Sequence, residues 1–307
     1  MAVGAWIDET LTDLDIERAG PVDHFRERPW AALARLTTAQ GDLYFKADAP
    51  SEAYEPALTQ WLAGRRPKLI PDVLRIDADR AWMLTRHAGE NLRDQIADPP
   101  DPAIWSDLLP LYAEVQIELT SSVEELLALR VPDSRPELLG QVYEDLSWRS
   151  KSKRAPTANE IARLVDGLGD TIPASLAHEE FQDQNILLRD GDPVVIDWAE
   201  AVIEHPFCGL VNTFRSLVDR WGFEPGAPEL LRLRDAYLEP WTIVAPHSRL
   251  VELFELAYPL GMLCRALSWD RLIAALPGHD LSEFEPFVPA WLEMASDALE
   301  GKARLGT

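Results

Sequence analysis

The stretch from His178 to Asp197, HEEFQDQNILLRDGDPVVID, decides how the rest of the chain is interpreted. Two short apolar runs, NILLR and PVVID, flank an Asp-Gly-Asp turn at 190–192, a pattern that predicts a β-hairpin. An antiparallel hairpin places the start of its first strand beside the end of its second strand. We therefore expect Asn185 and Asp197 to be neighbours, with Glu180 close by in the preceding loop.

Oxygen-bearing side chains at one end of a hairpin indicate metal-assisted chemistry. An Asn carbonyl and an Asp carboxylate are ligands that Mg²⁺ accepts when substrate phosphates complete its octahedral shell. A further carboxylate, here Glu180, is suited to orient an attacking hydroxyl and to accept its proton. The simplest alternative is that these acids only solvate a loop and that Asp197 caps the end of a strand.

Two other chemistries fit the segment less well. A zinc site of the form H-E-x-x-H needs a second histidine at position 182, where the chain has Gln182. A nucleophile pair of His205 and Cys208 lacks an evident orienting acid and the glycines of a nucleophile elbow. The other cysteine, Cys264, forms no CxxC spacing with Cys208, so both are predicted to be free, buried thiols in a reducing compartment.

Composition narrows the function classes. The 307 residues include 52 acidic and 29 basic side chains, and a formal net charge of −23 argues against a basic nucleic-acid interface. Hydrophobic residues make up 47 %, which is enough for a sizeable core. The first residues lack a signal-peptide pattern, and no apolar run reaches the ~18 residues of a membrane span. We expect a cytoplasmic protein without nucleic-acid or membrane partners; its oligomeric state is not predicted.

The first part of the chain is predicted to be rich in strands. The strands are expected at 30–46, as a pair around a turn at 40–42, and at about 73–77 and 81–85. A helix between them begins near Ser51, with Pro56 delaying its first turn, and ends near Gly64. These elements predict a small sheet with one helix embedded in it.

The second part is predicted to be mainly helical. The DPPDP run at 98–102 marks a boundary or a helix start, and helical patterns follow it. Breaks between the later helices are predicted at 224–229, 245–248 and 276–280. The predicted domains are therefore 1–87 and 88–307, with the hairpin inside the second.

The pattern H-x-[acid]-x-x-x-x-N, followed by a hairpin and I-D-W, resembles the catalytic segment of the aminoglycoside phosphotransferase and choline kinase-like families. Their segment commonly reads H-G-D-x-x-x-x-N followed by I-D-W or I-D-F. The match covers His178, Asn185 and 196–198. The resemblance implies an α+β, protein-kinase-like bilobal fold, with a small antiparallel N-terminal sheet carrying one helix. The larger, mainly helical C-terminal lobe would contain the catalytic hairpin.

The resemblance also implies ATP and Mg²⁺ as cofactors. Lys46, at the end of YFK, resembles the N-lobe lysine that contacts the nucleotide phosphates. Glu55 is similar to the acid that pairs with this lysine, and Glu52 is its rival. The stretch 82–88, which includes Thr85 and His87, would be the hinge whose backbone groups hold adenine.

The same resemblance assigns roles around the hairpin. Asn185 and Asp197 would hold Mg²⁺, Glu180 would be the catalytic base, and His178 would brace the catalytic loop. Glu180 stands where these families carry Asp, and we expect the swap Glu180→Asp to keep or raise activity. Glu179 stands where Gly is usual and is interpreted as a spacer.

Two further departures concern segments away from this loop. The stretch EHPFCGL at 204–210 resembles a downstream motif whose acid is replaced by Gly209, which puts the bracing of the loop in doubt. No G-x-G-x-x-G precedes Lys46, so the phosphate-covering turn is expected at 26–32.

These features predict a phosphotransferase that acts on a hydroxyl of a small molecule. Carboxylates and Trp rings in the helical part suit an amino sugar, an aminoglycoside or a choline-like amine. Glu200, three residues after Asp197, is the carboxylate predicted to contact this substrate. The alternative is a catalytically silent nucleotide-binding protein of the same fold. Acyl or nucleotidyl transfer on another fold is a weaker third hypothesis, since no motif supports it.

Overall fold

The computed structural model describes residues 2–95, 102–149, 152, 154–276, 278–303 and 305–306. Within these residues, the strands are β1 (Arg18–Arg28), β2 (Ala31–Thr38), β3 (Gly41–Asp48), β4 (Val73–Asp77), β5 (Trp82–Arg86), β6 (Glu90–Asn91), β7 (Ser175–Ala177), β8 (Ile186–Arg189), β9 (Asp192–Val195) and β10 (Val202–Glu204). The helices are α1 (Val3–Asp13), α2 (Glu55–Arg65), α3 (Ala103–Leu119), α4 (Val123–Ala128), α5 (Pro136–Arg149), α6 (Ala158–Leu168), α7 (Val211–Trp221), α8 (Pro228–Leu238), α9 (His247–Ala275) and α10 (Phe287–Leu299).

The chain forms two compact units. Unit 1 comprises Met1–Asn91 and Ile186–Ala199, and unit 2 comprises Leu92–Asn185 and Glu200–Thr307. The hairpin, which the sequence placed in the second domain, packs within unit 1 because β8 pairs with β6 and the Val195 N–H donates to the Leu69 carbonyl. The predicted division of the chain between residues 87 and 88 remains a prediction.

Unit 1 contains an antiparallel sheet in the order β1-β2-β3-β5-β4. Apolar residues alternate along its central strands, so one face is buried, and Leu36, Leu43, Phe45 and Leu84 form its core. The predicted strands at 30–46, 73–77 and 81–85 are confirmed. Helix α1 and strand β1 were not predicted, and α1 covers this face with Trp6, Ile7 and Leu11.

The helix expected after the first strand pair is present. A short 3-10 turn at Pro50–Glu52 precedes α2, and α2 begins at Glu55 with Pro56 in its first turn. Proline is tolerated there because the first N–H groups of a helix have no intrahelical partner. The delayed start puts Glu55, rather than Ser51, at the first helical position.

The predicted hairpin is confirmed as β8 and β9. Ile186 pairs with Val195 and Arg189 pairs with Asp192, so the loop has two residues. Asp190 and Gly191 both have positive φ, at 55° and 90°, as two-residue hairpin turns require. The hairpin is not isolated within a helical lobe, because β6 adds a third strand beside β8. A Cβ at Gly89, just before β6, would lie 2.2 Å from the Leu188 carbonyl oxygen, so this close approach depends on glycine.

Unit 2 is mainly helical, as predicted. Residues 98–101 of the DPPDP run lie outside the described residues, and α3 begins directly after Pro102. The predicted breaks fall between α7 and the first turn of α8, at the start of α9 and directly after its end. The aromatic side chains of Trp105, Tyr237 and Trp241 are buried in its core.

The two cysteines of unit 2, Cys208 and Cys264, are buried free thiols, as expected from the sequence. Among the described residues, no helix combines the length and apolar character needed to cross a membrane.

Candidate functional site

In unit 1, Lys46 lies at the centre of a cluster of carboxylates. Its strand, β3, pairs with β2 and β5, and its Nζ contacts Glu55 on α2. The same Nζ lies 2.5 Å from Asp197 Oδ1 and 3.3 Å from Asp48 Oδ1. We call Lys46, Asp48, Glu55 and Asp197 the lysine cluster.

Burial and charge oppose each other in the lysine cluster. Burial disfavours the charged ammonium, but Asp197, Asp48 and Glu55 outweigh it and raise the pKa of Lys46 well above its ordinary value. The pKa of Asp48 is raised as well, because its carboxyl is buried and lies near Glu55. The lysine therefore stays charged at all physiological pH values.

The donor set of the lysine cluster fits a divalent cation. One ammonium faces three carboxyl groups, and Asp48 Oδ2 and Glu55 Oε1 are buried without accepting a hydrogen bond. A donor set made only of carboxyl oxygens matches the preference of Mg²⁺ for oxygen ligands. Asp197 is the most exposed of the three, with 41 % of its side chain accessible.

In unit 2, the segment 178–185 forms a tightly held loop. His178 is fully buried, its backbone N–H donates to the Tyr112 hydroxyl over 2.8 Å, and its Nδ1 faces the Glu180 N–H at 3.3 Å. Glu179 has φ +58°, in the left-handed region that glycine favours. A glutamate at this position is therefore strained unless its side chain is anchored.

The anchor for Glu179 is Arg265 on α9. Arg265 Nη1 lies 3.3 Å from Glu179 Oε2 and 2.6 Å from Glu200 Oε2, and its Nη2 donates to Glu180 Oε1 over 2.8 Å. The Ser268 hydroxyl donates to Glu179 Oε2 over 2.6 Å. We call these five residues the arginine cluster.

The centre of the arginine cluster is almost completely shielded from solvent. Only 4 % of the Arg265 side chain and 1 % of the Glu179 side chain are exposed. Burial alone would lower the pKa of the Arg265 guanidinium. The negative charges of Glu200, Glu180 and Glu179 have the larger effect and raise this pKa above its ordinary value. Burial raises the pKa of Glu179, while Arg265 and Ser268 counteract that effect. The interpretation of Glu179 as a spacer is therefore wrong, because its carboxylate is a buried partner of Arg265.

Side chains from two helices, α3 and α7, brace the loop. Tyr112 on α3 stacks on Phe181 with ring centroids 4.1 Å apart, and Thr213 on α7 donates to the Phe181 carbonyl. Asn212 Nδ2, also on α7, donates to Glu180 Oε1 over 2.7 Å. Asn185 Nδ2 donates to the Glu180 carbonyl over 3.0 Å, which fixes the plane of its amide.

The absence of an acid at Gly209 has a steric basis. A Cβ at Gly209 would lie 2.8 Å from Ala177 Cβ and 3.1 Å from Glu204 Oε1. Glu204 is fully buried, and neither of its carboxylate oxygens accepts a hydrogen bond. Burial, together with the neighbouring Cys264 and Glu179, raises the pKa of Glu204 well above its ordinary value, so this carboxyl is neutral over a wide pH range.

The carboxylate of Glu180 opens onto a pocket of about 640 Å³ within unit 2. Ligand pockets of roughly this size hold small organic molecules. Polar residues from α7 and aromatic residues from α9 and α10 line it: Asn212, Arg215, Asp219, Arg220, Trp269, Phe287 and Trp291. Arg265 and Glu180 also line the pocket.

Comparison with known proteins decides the family. A model of the phosphotransferase enzyme family matches residues 23–247, which is more than half of the chain. The chain belongs to the phosphotransferase enzyme family. The sequence-level resemblance to aminoglycoside phosphotransferases and choline kinases is thereby confirmed. No curated protein matches the sequence.

Solved structures share the fold of this phosphotransferase at low sequence identity. An ethanolamine kinase from Plasmodium vivax has a TM-score of 0.67 at 14 % identity, covering 99 % of this chain and 86 % of its own. Choline kinase LicA from Streptococcus pneumoniae has a TM-score of 0.59 at 13 % identity, covering 97 % and 99 %. A spectinomycin phosphotransferase in complex with ADP and spectinomycin has a TM-score of 0.54 at 10 % identity, covering 98 % of each chain. The predicted α+β, protein-kinase-like fold is confirmed.

The residues predicted for the nucleotide side of this phosphotransferase all lie in unit 1. Lys46 contacts Glu55, while Glu52 accepts a hydrogen bond from Ser51. Thr85 is buried in β5, opposite Tyr44 of β3. His87 follows β5, and its ring stacks on Tyr44 at a centroid distance of 5.8 Å. The roles assigned to these residues remain predictions.

The residues predicted for the acceptor side lie in unit 2. Glu180 borders the pocket, whereas Glu200 binds Arg265 and is not among the residues that line the pocket. Its predicted contact with substrate therefore remains a prediction. Three aromatic residues of the helical part, Trp221, Trp241 and Tyr258, are buried in the core.

Sequence reasoning missed several polar residues that contact the predicted site residues, among them Asp48, Arg265 and Asn212. Asp48 follows Lys46 by two positions in a strand, so the shared face was a usable signal. Arg265 is the one charged residue of the apolar run LGMLCRAL, and a charge in such a run indicates a buried partner. Asn212 carried no comparable signal, because its role depends on how α7 packs against the loop.

Proposed function

We propose that this protein is an ATP- and Mg²⁺-dependent phosphotransferase that transfers the γ-phosphate to a hydroxyl of a small molecule. The observation that carries the proposal is the contact of Lys46 Nζ with both Glu55 and Asp197, within a family of phosphotransferases. An ammonium held between two carboxylates is positioned as a fixed cation for phosphate oxygens. The ADP complex of the spectinomycin phosphotransferase supports the use of a nucleotide.

Lys46 would orient the phosphates, and Asp197 with Asn185 would hold Mg²⁺. The assignment of the two metal ligands comes from the sequence pattern, and the partly exposed carboxylate of Asp197 beside Lys46 supports it for Asp197. When bound, Mg²⁺ supplies neutralisation of the charge on the phosphates. Backbone groups of 82–88, the stretch that includes Thr85 and His87, would hold the adenine.

Glu180 would act as the base on the acceptor hydroxyl. The acceptor oxygen forms a bond to the γ-phosphorus, the bond from that phosphorus to the β–γ bridging oxygen breaks, and ADP leaves. The hydroxyl proton passes to the Glu180 carboxylate, which Arg265 and Asn212 hold in place. His178 would keep the loop backbone in position through its contact with the Glu180 N–H.

The acceptor is a small molecule that fits the pocket beside Glu180. Amino sugars, aminoglycosides and choline-like amines are the classes expected from the sequence, and the choline and ethanolamine kinases of the same fold act on two such amines. A cytoplasmic location remains a prediction.

Nucleotide binding is the first property to test. ATP with Mg²⁺ is expected to raise the melting temperature of the wild-type protein in a thermal-shift assay. Lys46→Met should abolish most of the shift, while Lys68→Met, which removes an exposed lysine of the same unit, should keep it. A wild-type protein that shows no shift at saturating nucleotide would overturn the proposed function.

A further inference from the structure

The pocket beside Glu180 combines an aromatic wall with a basic one. Trp269 stacks on Phe284 with centroids 5.7 Å apart and planes inclined by 11°, and it also packs against Phe287 at 4.8 Å. Trp291 on α10 extends this wall. Flat or apolar rings pack favourably on such a surface. The aromatic side chains therefore provide a surface for the apolar body of a ligand.

The basic wall consists of Arg215 and Arg220, which project from α7. The guanidinium of Arg215 lies 5.0 Å from the ring centroid of Trp291, and its Nη1 contacts the Met294 sulfur at 2.6 Å. A thioether is a weak hydrogen-bond acceptor, and a guanidinium has five donor hydrogens. Most donors of Arg215 are thus available to a ligand.

Within the part of the chain that the structure describes, neither Arg215 nor Arg220 forms an ion pair with a carboxylate. This is unusual in a protein with 52 acidic and 29 basic residues, where acidic partners are abundant. Arg265, the third arginine of the pocket, differs because three carboxylates already surround it. Among the described residues, Arg215 and Arg220 therefore provide positive charge that no carboxylate neutralises in an ion pair.

The acidic residues of the pocket do not offset this charge for a ligand. Glu180 already accepts hydrogen bonds from Arg265 and Asn212, and Asp219 is exposed on the same helix as Arg220. An ammonium group on the ligand would meet two guanidinium groups and one available carboxylate. A carboxylate or phosphate group would gain charge-assisted hydrogen bonds, which Arg forms in bidentate geometry.

We propose that the acceptor of this phosphotransferase carries an anionic group on an apolar ring, and that Arg215 and Arg220 bind that group. The aromatic wall holds the ring, and the hydroxyl to be phosphorylated faces Glu180. This acceptor differs from the cationic amines expected from the sequence. The proposal rests on the proposed function for the hydroxyl transfer, but binding of the anionic group to the pocket is measurable without a nucleotide.

Three matched alcohols test the charge preference by titration calorimetry on the full chain without nucleotide. They are 3-(hydroxymethyl)benzoate, benzene-1,3-dimethanol and 3-(aminomethyl)benzyl alcohol, which share a ring and a hydroxymethyl group and differ in charge. The benzoate is expected to bind about tenfold more tightly than the neutral diol, on the scale of a charge-assisted hydrogen bond. The amine is expected to bind more weakly than the diol. Equal or tighter binding of the amine, or no binding of any of the three, would overturn the proposal.

Variants locate the effect and separate it from the nucleotide. Arg215→Gln and Arg220→Gln should each reduce the preference for the benzoate, and Arg215→Lys should retain part of it. Arg232→Gln, which removes an exposed arginine of α8 outside the pocket, should leave the preference unchanged. If the arginines instead bind a nucleotide phosphate, Arg215→Gln would reduce the ATP-induced thermal shift and leave benzoate binding intact, which would overturn the assignment of the anion to the acceptor. If ATP does not bind, the proposed function is refuted. The relative affinities of the three alcohols, which are measured without nucleotide, would still test whether the pocket prefers an anionic group.

Discussion

At the scale of single residues, the loop at 178–185 is built around a glutamate. Glu180 Oε1 accepts hydrogen bonds from Asn212 and Arg265, and Gln182 donates to Oε2. An aspartate at this position would withdraw its carboxylate by about one bond length from all of these donors. From the sequence we expected Glu180→Asp to keep or raise activity. The contacts of Glu180 in the structure lead us to expect a loss of activity instead.

Glu180→Asp is expected to lower kcat/KM for phosphoryl transfer by about 10- to 100-fold, because a shift of about 1 Å in a catalytic group has consequences of this size. The measurement is steady-state release of ADP in the presence of an acceptor. Glu252→Asp shortens an exposed carboxylate that pairs with Arg249, outside the site, and serves as the control, with an expected change of less than about threefold. Full activity of Glu180→Asp would show that these contacts do not set the position of the base.

Arg265 is expected to be the residue on which the loop depends most. Arg265→Met would leave the buried Glu179 carboxylate without its charged partner, and the loss of one member of a buried ion pair costs about 3–5 kcal/mol of unfolding free energy. Urea unfolding measures this loss. Arg154→Met removes an exposed pair with Asp297 and should change the stability little. A loss of less than about 1 kcal/mol in Arg265→Met would contradict the account of the arginine cluster.

Some of the candidate site residues could be predicted from the sequence. Spacing around the hairpin indicated Glu180, Asn185 and Asp197, since the motif fixes their separation along the chain. The partners of Glu180 could not be predicted, because Arg265 comes from a helix 85 residues later in the sequence. The tertiary packing of α9, and not a local pattern, brings that side chain to the loop.

At the scale of elements, the turn at Cys208–Leu210 fits against strand β7 without room for a side chain. Gly209→Ala would place a Cβ 2.8 Å from Ala177 Cβ, so the strand or the turn must shift. We expect a destabilisation of about 1–3 kcal/mol, the range for overpacked cores, measured by urea unfolding.

Gly64→Ala provides the matched control for Gly209→Ala. Gly64 lies within α2, where a Cβ meets nothing within 4 Å, so alanine should be neutral or stabilising. Equal stabilities of Gly209→Ala and the wild type would mean that the turn can yield, and that an acid at this position is sterically possible.

Elements with strong local signals were predicted well. The Asp-Gly turn fixed the register of β8 and β9, and Pro56 fixed the start of α2. Strand β6 has only two residues and gave no pattern, so its pairing with β8 was missed. Helix α1 was missed although Trp6, Ile7 and Leu11 fall at helical spacing, because its polar residues interrupt the apolar stripe.

At the scale of the whole molecule, the buried Glu204 links stability to pH. Its pKa is raised in the folded state, first by burial, above a value of about 4.5 in the unfolded chain. Between these two pKa values the folded protein holds a proton that the unfolded chain releases. The stability contributed by this group is therefore fully present below the unfolded pKa and falls as the pH rises, by up to about 1.4 kcal/mol per pH unit.

Glu204→Gln removes this titration and keeps a neutral side chain of similar shape. We expect the variant to match the wild type near about pH 4.5 and to become more stable than the wild type as the pH rises toward about 8. Urea unfolding across this pH range measures the difference. A difference that is independent of pH would show that Glu204 has an ordinary pKa.

The whole-molecule features that the sequence indicated were those that composition and element order determine. The change from strands to helices along the chain predicted a small sheet followed by helices, and the resemblance of the hairpin motif implied the protein-kinase-like fold, which the solved structures confirm. The charges that line the pocket could not be predicted in the same way, because they depend on which side chains of α7 the packing brings to the pocket. Pocket charge is set by packing and not by the net charge of −23.

The most direct test of the central claim is transfer of the γ-phosphate from ATP to an acceptor alcohol, followed by mass spectrometry of the acceptor and by ADP release. The wild type is predicted to add one phosphoryl group to the acceptor, and Asp197→Asn, which keeps the size of the side chain and removes its charge, is predicted to lose nearly all of this activity. Acceptor-dependent transfer that persists in Asp197→Asn would contradict the account, because Lys46 and the proposed metal both depend on the Asp197 carboxylate.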